Sequence, residues 1–268
     1  MNILIVGRGW LGKKMALALS ARAHIVTMCG HDQVASHLKG MTGLHRYQWV
    51  VNCAGYTGTP NVDACEKDRA KTIQANSIFP IELHKIVSEY GARLAHFSSG
   101  CIYEGKIHKI DEAPNYFGST YSVSKGVSDV YMSAQQDVLN LRIRMPFSGD
   151  NDPKNLLVKL TNYAKSGKLV EGGPNSITDI DEAIEVACDL IYNGVLGSAN
   201  LVNEGTVTIA EIAKILGLDW AEWYTPEQFA KVTAAKRSNC VIPNNSGMSD
   251  VKEALKKSVL KLKGELYG

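Results

Sequence analysis

The apolar positions of this chain switch between short unbroken runs and stretches of helical spacing, and that switching predicts an α/β fold with a parallel sheet. Residues 2–6, NILIV, form a run of strand length, after which Leu11, Met15, Ala18 and Leu19 share one helical face. HIVTM at 24–28 reads as the second strand and WVVNCAG at 49–55 is counted as the fourth. Helical spacing covers 63–75 and 78–90, RLAHFSS at 93–99 reads as the fifth strand, and a helix over 121–136 leads into VLNLRIR at 138–144, the sixth, which Pro146 stops. Beyond this point the alternation loosens. Helices are predicted at 155–165, 180–193, 209–216, 226–234 and 249–262, with Thr208–Glu211 as a capping box and SANLVN at 198–203 as a strand returning to the sheet. The division expected is a sheet domain over 1–146 and a smaller, interleaved substrate lobe over 147–268.

Between the first strand and helix lies GRGWLG, with Gly7, Gly9 and Gly12 at the spacing of a dinucleotide fingerprint. Gly7 permits the bend, Gly9 lets the backbone approach a pyrophosphate, and Gly12 lets helix and strand pack closely, with the phosphates on the helix N-terminus. The fold expected is therefore a doubly wound sheet of Rossmann type, with its binding crevice at the carboxyl ends of the strands. Three strand ends should line that crevice: Asn52 to Tyr56, Ser98 to Cys101, and Met145 to Phe147. Candidate cofactor contacts are Gly7, Arg8, Gly9, Trp10, Leu11 and Gly12, then Cys53, Ala54, Gly55 and Tyr56, with Asn76, Tyr121, Lys125 and Met145. The second strand ends in Cys29, Gly30 and His31, where an NAD enzyme usually presents an acid to the ribose. Asp32 lies one residue on, whereas Arg8 and His31 suit a 2′-phosphate. NADP(H) is favoured, with NAD(H) as the alternative.

Composition narrows the class without naming a chemistry. With 268 residues and 45% hydrophobic content, the chain can bury one large core, or a core and a lobe. A formal charge of +2 comes from interspersed charges, and the densest basic run, KEALKKSVLKLK at 252–263, has the spacing of a solvated helix face rather than a nucleic-acid patch. The six cysteines show no CxxC pair or metal spacing, which suits a reducing compartment and predicts no metal. The chain opens on a core strand and has no apolar run near the ~20 residues of a membrane span, so neither signal peptide nor membrane is expected and the expected location is cytoplasmic.

Candidate chemistry is concentrated in FSSGCIYEG (97–105) and YSVSK (121–125). Tyr121 and Lys125 lie four apart and share a helix face. A phenol of pKa ~10 becomes a useful acid or base near neutrality only if its phenolate is stabilised, which Lys125 and an oxidised nicotinamide can do. Ser99 can bond the same substrate oxygen, so serine and tyrosine together would hold a carbonyl during hydride transfer.

The glycine loop, the NCAG strand end, Ser99 and YSVSK resemble the extended short-chain dehydrogenase/reductases, a likeness that spans nearly the whole chain. Within them, GYTGTPNVDACE (55–66), SSGCIYE (98–104), EAPNYFGSTYSVSK (112–125), LRIRMPFSGDNDPKNLLVK (141–159), PNSITDIDEA (174–183) and KRSN (236–239) are similar to the plant-type bifunctional 3,5-epimerase/4-reductases of rhamnose synthesis. That resemblance implies reduction of a 4-keto-6-deoxyhexose by Ser99, Tyr121 and Lys125, and epimerisation by Cys101 and Lys159. The two reactions suit one site. Protons on carbons 3 and 5 are acidic only because the 4-keto oxygen can take up charge, and inversion needs acid/base groups on both faces of the ring. The resemblance also implies Arg237 near the substrate pyrophosphate, and contacts from Thr57, Cys101, Asn155 and Asn175 to sugar or nucleotide. One departure is the loop itself, GxGxxG here against GxxGxxG in the family. The expected substrate is a UDP- or dTDP-linked 4-keto sugar, and a homodimer is expected by fold analogy. Alternatives are reduction alone, a GDP-linked sugar, and a non-catalytic NADP-binding regulatory subunit, which would have no need of an intact Ser–Tyr–Lys set.

Overall fold

The computed structural model describes residues 1–39, Gly43 and 46–267. The first half runs β1 (Asn2–Val6), α1 (Trp10–Ala21), β2 (Ile25–Cys29), α2 (Val34–Lys39), β3 (Trp49–Asn52), α3 (Asp63–Lys67), α4 (Arg69–Ile73), α5 (Phe79–Glu89), β4 (Arg93–Ser99), β5 (Gly105–Lys106), α6 (Thr120–Ser133) and β6 (Val138–Ile143). The second half runs α7 (Leu156–Ser166), β7 (Leu169–Val170), α8 (Ile180–Tyr192), β8 (Gly197–Leu201), α9 (Ile209–Leu216), β9 (Trp223–Tyr224), α10 (Pro226–Val232), β10 (Cys240–Val241) and α11 (Val251–Tyr267).

Six strands form one parallel sheet in the order β2-β1-β3-β4-β6-β8. The chain leaves β1 to one side for β2 and then crosses to β3 on the other, so the topological switch point lies between β1 and β3, where α/β proteins bind ligands. WVVN is the third strand of the chain rather than the fourth. The 19 residues between β2 and β3 already hold a 3-10 turn at His31–Gln33 and α2, and no strand lies there among the described residues. The strand at 197–201 does return to the sheet, pairing with β6.

The central strands read as unbroken apolar runs because helices cover both faces of the sheet. On one face, Ile3, Ile5, Val51, Phe97 and Leu141 pack with Met15 and Leu19 of α1 and with Ile180, Ile184 and Ile191 of α8. On the other, Leu4, Val50 and Leu94 pack with Val34 and Leu38 of α2, Leu83 and Val87 of α5, and Met132 of α6. A separate apolar cluster joins α7, α9 and α11 through Leu157, Leu160, Ile212, Leu255 and Val259. Two short parallel pairs, β5 with β10 and β7 with β9, were not foreseen from the sequence. The first matters most for function, because it carries residues near 237–240 up to the end of β4.

The expected helix 63–75 is two helices followed by a π turn at Gln74–Ile78 that leads directly into α5. Such a turn bulges the helix and turns an extra residue inward, here the fully buried Asn76.

Candidate active site

The glycine turn is a steric requirement at two of its positions. Gly7 has φ +107°, and a Cβ there would lie 2.8 Å from the Ala54 nitrogen; one on Gly12 would lie 2.0 Å from the Gly7 oxygen. Gly9 is different: a Cβ there meets nothing within 4 Å. It faces open space in front of α1, whose first turn has neither a side-chain cap nor an acidic residue. Backbone N–H groups free to meet an anion, beside a glycine that keeps the approach clear, fit a dinucleotide pyrophosphate.

Arg8 is exposed and donates from Nη2 to Gln33 Oε1 at 2.9 Å, an oxygen that also accepts from the Gly30 nitrogen at 3.0 Å. This places the guanidinium beside the end of β2. His31 packs edge-on against Phe79 at 5.7 Å, and Asp32 is exposed on the same turn. Leu11 and Cys53 pack against the core under the sheet, while Trp10 donates from Nε1 to Asp150 at 3.0 Å, and Lys14 pairs with Asp150 and Asp181 at 2.6 Å each. These contacts tie the glycine turn to the segment after β6.

Ser99 ends β4, and its Oγ accepts from the Cys101 nitrogen at 3.1 Å, capping a 3-10 turn over 100–102. Tyr121 is the second residue of α6, whose N-terminus is fastened by Glu66 accepting from the Thr120 nitrogen and hydroxyl at 2.6 and 2.7 Å. Burial pushes the Tyr121 phenol up, the neighbouring Cys101 adds to that, and a hydrogen bond with Ser99 opposes it. One turn on, Lys125 is 4% exposed and donates from Nζ to the Phe97 carbonyl at 3.1 Å. Burial pushes its ammonium down to about 8, with Asp129 a further turn along acting in the opposite sense. A Cβ on Gly55 would lie 3.5 Å from Lys125 Nζ, so the lysine head sits against the end of β3. Asp129 itself is bound by Arg142 at 2.7 Å, Ser98 at 2.6 Å and Asn140 at 2.9 Å, a buried network under α6.

Ser99, Cys101, Tyr121 and Lys125 are thus brought together at the carboxyl edge of the sheet. Met145 lies at the same edge after β6 with φ +42°, a left-handed conformation that is strained for a methionine before proline. The ammonium of Lys159, half-buried on α7, makes no hydrogen bond or ion pair with a described residue; burial lowers its pKa, with Lys154 and Arg237 acting the same way and Asp152 against them. Arg237 Nη2 pairs with Asp63 Oδ2 at 3.0 Å, and Asp63 Oδ1 also accepts from the Ala234 and Ala235 nitrogens. Thr57 is half-buried in the loop between β3 and α3.

Three candidates have side chains spent on the protein itself. Asn76 accepts from the Tyr56 nitrogen at 2.8 Å and donates to the Tyr56 carbonyl at 2.9 Å, bracing the end of β3 rather than facing the crevice. Asn155 caps α7 and donates to the Ser148 and Asp150 carbonyls at 2.8 and 2.6 Å. Asn175 accepts from Arg144 and from the Cys240 nitrogen and donates to Asn239 and the Gly173 carbonyl. All three are at most 3% exposed, so they shape the site from behind.

Arg144 joins the site without being one of the candidate residues. Its Nη1 donates to Cys101 Sγ at 3.3 Å and to Ser238 Oγ at 3.2 Å, and its Nη2 donates to the Ser238 carbonyl at 2.8 Å and to Asn175. One signal was available: in LRIR, Arg142 and Arg144 fall on the same face of a core strand, where a charge needs a reason. Among the described residues no cluster of three His, Cys, Asp or Glu side chains could hold a metal ion, and no helix is long and apolar enough to cross a membrane.

A doubly wound sheet with a glycine turn at its switch point and a Ser–Tyr–Lys cluster on the neighbouring strand end defines a nucleotide-binding α/β protein of the short-chain dehydrogenase/reductase type. Within that class, the chain belongs to the family described as the RmlD substrate binding domain, whose model matches residues 1–257. It is 30% identical over 260 residues to the Arabidopsis thaliana bifunctional dTDP-4-dehydrorhamnose 3,5-epimerase/dTDP-4-dehydrorhamnose reductase, covering 89% of this chain and 83% of that one. It is 31% identical over 282 residues to an Arabidopsis trifunctional UDP-glucose 4,6-dehydratase/UDP-4-keto-6-deoxy-D-glucose 3,5-epimerase/UDP-4-keto-L-rhamnose-reductase. That match takes in 97% of this chain but only 41% of the trifunctional protein, so the chain spans less than half of that relative. The crystal structure of the UDP-rhamnose synthase from Acanthamoeba polyphaga mimivirus superposes with a TM-score of 0.86 at 27% identity, covering 97% of this chain and 99% of the other.

Proposed function

We propose that this chain is an NADPH-dependent nucleotide-sugar 3,5-epimerase/4-reductase that converts UDP- or dTDP-4-keto-6-deoxy-D-glucose to the corresponding L-rhamnose nucleotide. The observation that carries this reading is the meeting of Ser99, Tyr121, Lys125 and Cys101 at one strand end, which puts a carbonyl-holding pair and a thiol at a single site. The Rossmann-type half, residues 1–146, holds the cofactor, and residues 147–268 supply most of the substrate contacts.

The residues fit a nicotinamide dinucleotide: the turn at 7–12 and the open first turn of α1 would hold the pyrophosphate, with Tyr56, Lys125 and Met145 near the nicotinamide end. Arg8, close to the end of β2, favours a 2′-phosphate, and NAD(H) is the weaker alternative. When bound, the reduced cofactor supplies hydride.

The hydroxyls of Ser99 and Tyr121 both donate to the 4-keto oxygen, so charge that develops there is stabilised in either reaction. In epimerisation, Cys101 takes the proton from carbon 3 or 5 on one face and the electron pair moves to the 4-keto oxygen. Lys159 returns a proton on the opposite face. Burial lowers its pKa, which lets an amine exchange protons nearer neutrality. In reduction, Tyr121 gives its proton to the oxygen at carbon 4 as that carbon gains hydride. Burial keeps the phenol protonated beforehand, and the Lys125 ammonium stabilises the phenolate left behind. Arg237, already half-exposed and paired with Asp63, turns to the nucleotide diphosphate.

Incubation with UDP- and dTDP-4-keto-6-deoxyglucose and NADPH in deuterated water tests this. Rhamnose-configured product with deuterium at carbons 3 and 5 is expected; cofactor binding without NADPH oxidation on either sugar would refute it.

A further inference from the structure

Arg144 is an unusual residue for its position. It is 1% exposed, and among the described residues no carboxylate lies within 4.0 Å of its guanidinium. Arg142, two residues earlier and inside β6, is 2% exposed and shows the ordinary solution: its charge is met by both oxygens of Asp129 at 2.7 to 3.2 Å. A buried guanidinium without an anion is costly. Among the described residues, the partners of Arg144 are the amide oxygen of Asn175, the hydroxyl and carbonyl of Ser238, and the sulfur of Cys101, and its Nε has none. Only the sulfur in that set can become an anion. The neighbouring Cys240 cannot serve, because burial pushes its thiol up to about 12 and its Sγ donates to the Gly100 carbonyl.

The arrangement is also built from far along the chain. The fork of Arg144 is held by Asn175, 31 residues away, and Ser238, 94 residues away, the latter delivered by the pairing of β10 with β5. Two partners fix the plane of the guanidinium, and the remaining Nη1 donor meets Cys101, itself fixed by the Ser99 cap. An N–H of a cation is a far stronger donor to a thiolate than to a thiol.

We propose that Arg144 is the positioning residue for epimerisation: it holds the Cys101 sulfur in place and supplies the counter-charge for the thiolate that abstracts protons from carbons 3 and 5. The role rests on the epimerase reading above. When the thiolate takes a proton from carbon it becomes a neutral thiol, still within reach of Nη1, and losing that proton to solvent restores it. Reduction uses Ser99, Tyr121 and Lys125 and does not draw on this pair, so the two activities should separate at Arg144.

The test compares wild type with Arg144→Gln and Arg144→Lys in two assays. The first is alkylation of Cys101 by iodoacetamide at pH 7, with Cys101→Ser as the blank; four of the other five cysteines are buried, and burial raises the pKa of the fifth, Cys53. Alkylation is expected to fall about tenfold or more in Arg144→Gln and to recover in part in Arg144→Lys, which keeps the charge but has one nitrogen where the fork had two. The second compares deuterium exchange at carbons 3 and 5 with reduction of a 4-keto sugar already in the L-rhamno configuration. Arg144→Gln is expected to slow exchange at least 50-fold and reduction less than threefold. Loss of both activities together, with alkylation unchanged, would make Arg144 a structural residue only and overturn the proposal; so would unchanged exchange. Should Arg144→Gln fail to fold, Arg144→Lys carries the same comparison. Wild type inactive on every sugar would defeat the epimerase/reductase reading, while the alkylation series would still report on the arginine–cysteine pair.

Discussion

Lys125 should make this protein less stable at neutral pH than it would be without it, by an amount that depends on pH in a calculable way. Its ammonium is 4% exposed, and burial lowers its pKa from 10.5 to about 8. Between those two values the unfolded chain binds more protons than the folded one, so folding stability rises with pH across that window. A shift of that size costs the folded state about 3 kcal/mol at pH 7, where the folded lysine is charged, and about 1.5 kcal/mol at pH 9.5, where it has largely lost its proton. Lys125→Met keeps the chain length and removes the charge. It also removes the bond from Nζ to the Phe97 carbonyl, worth about 1 kcal/mol. The variant should therefore be more stable than wild type by about 2 kcal/mol at pH 7, with that advantage shrinking by about 2 kcal/mol at pH 9.5. Urea unfolding of both proteins at the two pH values measures this, and the packing cost of the substitution cancels in the pH comparison. A stability gap that stays constant or widens between pH 7 and 9.5 would show that the buried ammonium is compensated by something other than Asp129. In wild type, NADPH oxidation should decline as pH rises through about 8, because the charge that stabilises the phenolate is lost there.

Two further outcomes follow from the same geometry. Gly9→Ala adds a Cβ that meets nothing within 4 Å in the protein, so its unfolding midpoint should match wild type while NADPH binding, followed by cofactor fluorescence, weakens at least tenfold; unchanged affinity would move the pyrophosphate elsewhere. Asp129→Ala leaves the Arg142 guanidinium buried without its anion and strips Ser98 and Asn140 of an acceptor, so urea unfolding should show a loss of about 3–5 kcal/mol, and a loss under 1 kcal/mol would contradict the burial of that pair.

What the sequence made legible is what short-range chemistry encodes. The glycine turn needs residues five apart, Tyr121 and Lys125 need a spacing of four, and the covered sheet declares itself in unbroken apolar runs, so each could be read from a window of a few residues. The strand count went wrong between β2 and β3 because a 3-10 turn and a short helix occupy a stretch in which a further βα unit would have to fit. Asn76 and Asn155 look like ligand contacts in sequence because an amide side chain serves a ligand and a backbone equally well; in the fold a π turn, which has no sequence signature, and a helix start, which does, give both side chains backbone partners. Asn155 stands directly before the apolar spacing of α7, and asparagine at that position is a cap before it is anything else. Arg144 was out of reach for a different reason. Its partners lie 31, 43 and 94 residues away and meet through β5 and β10, strands of two residues each that leave no period to detect. The blocks LRIR, PNSIT, SSGC and KRSN each looked like separate matches along the chain. Folded, they are four sides of one arrangement around a guanidinium, with the Cys101 sulfur 3.3 Å from its Nη1.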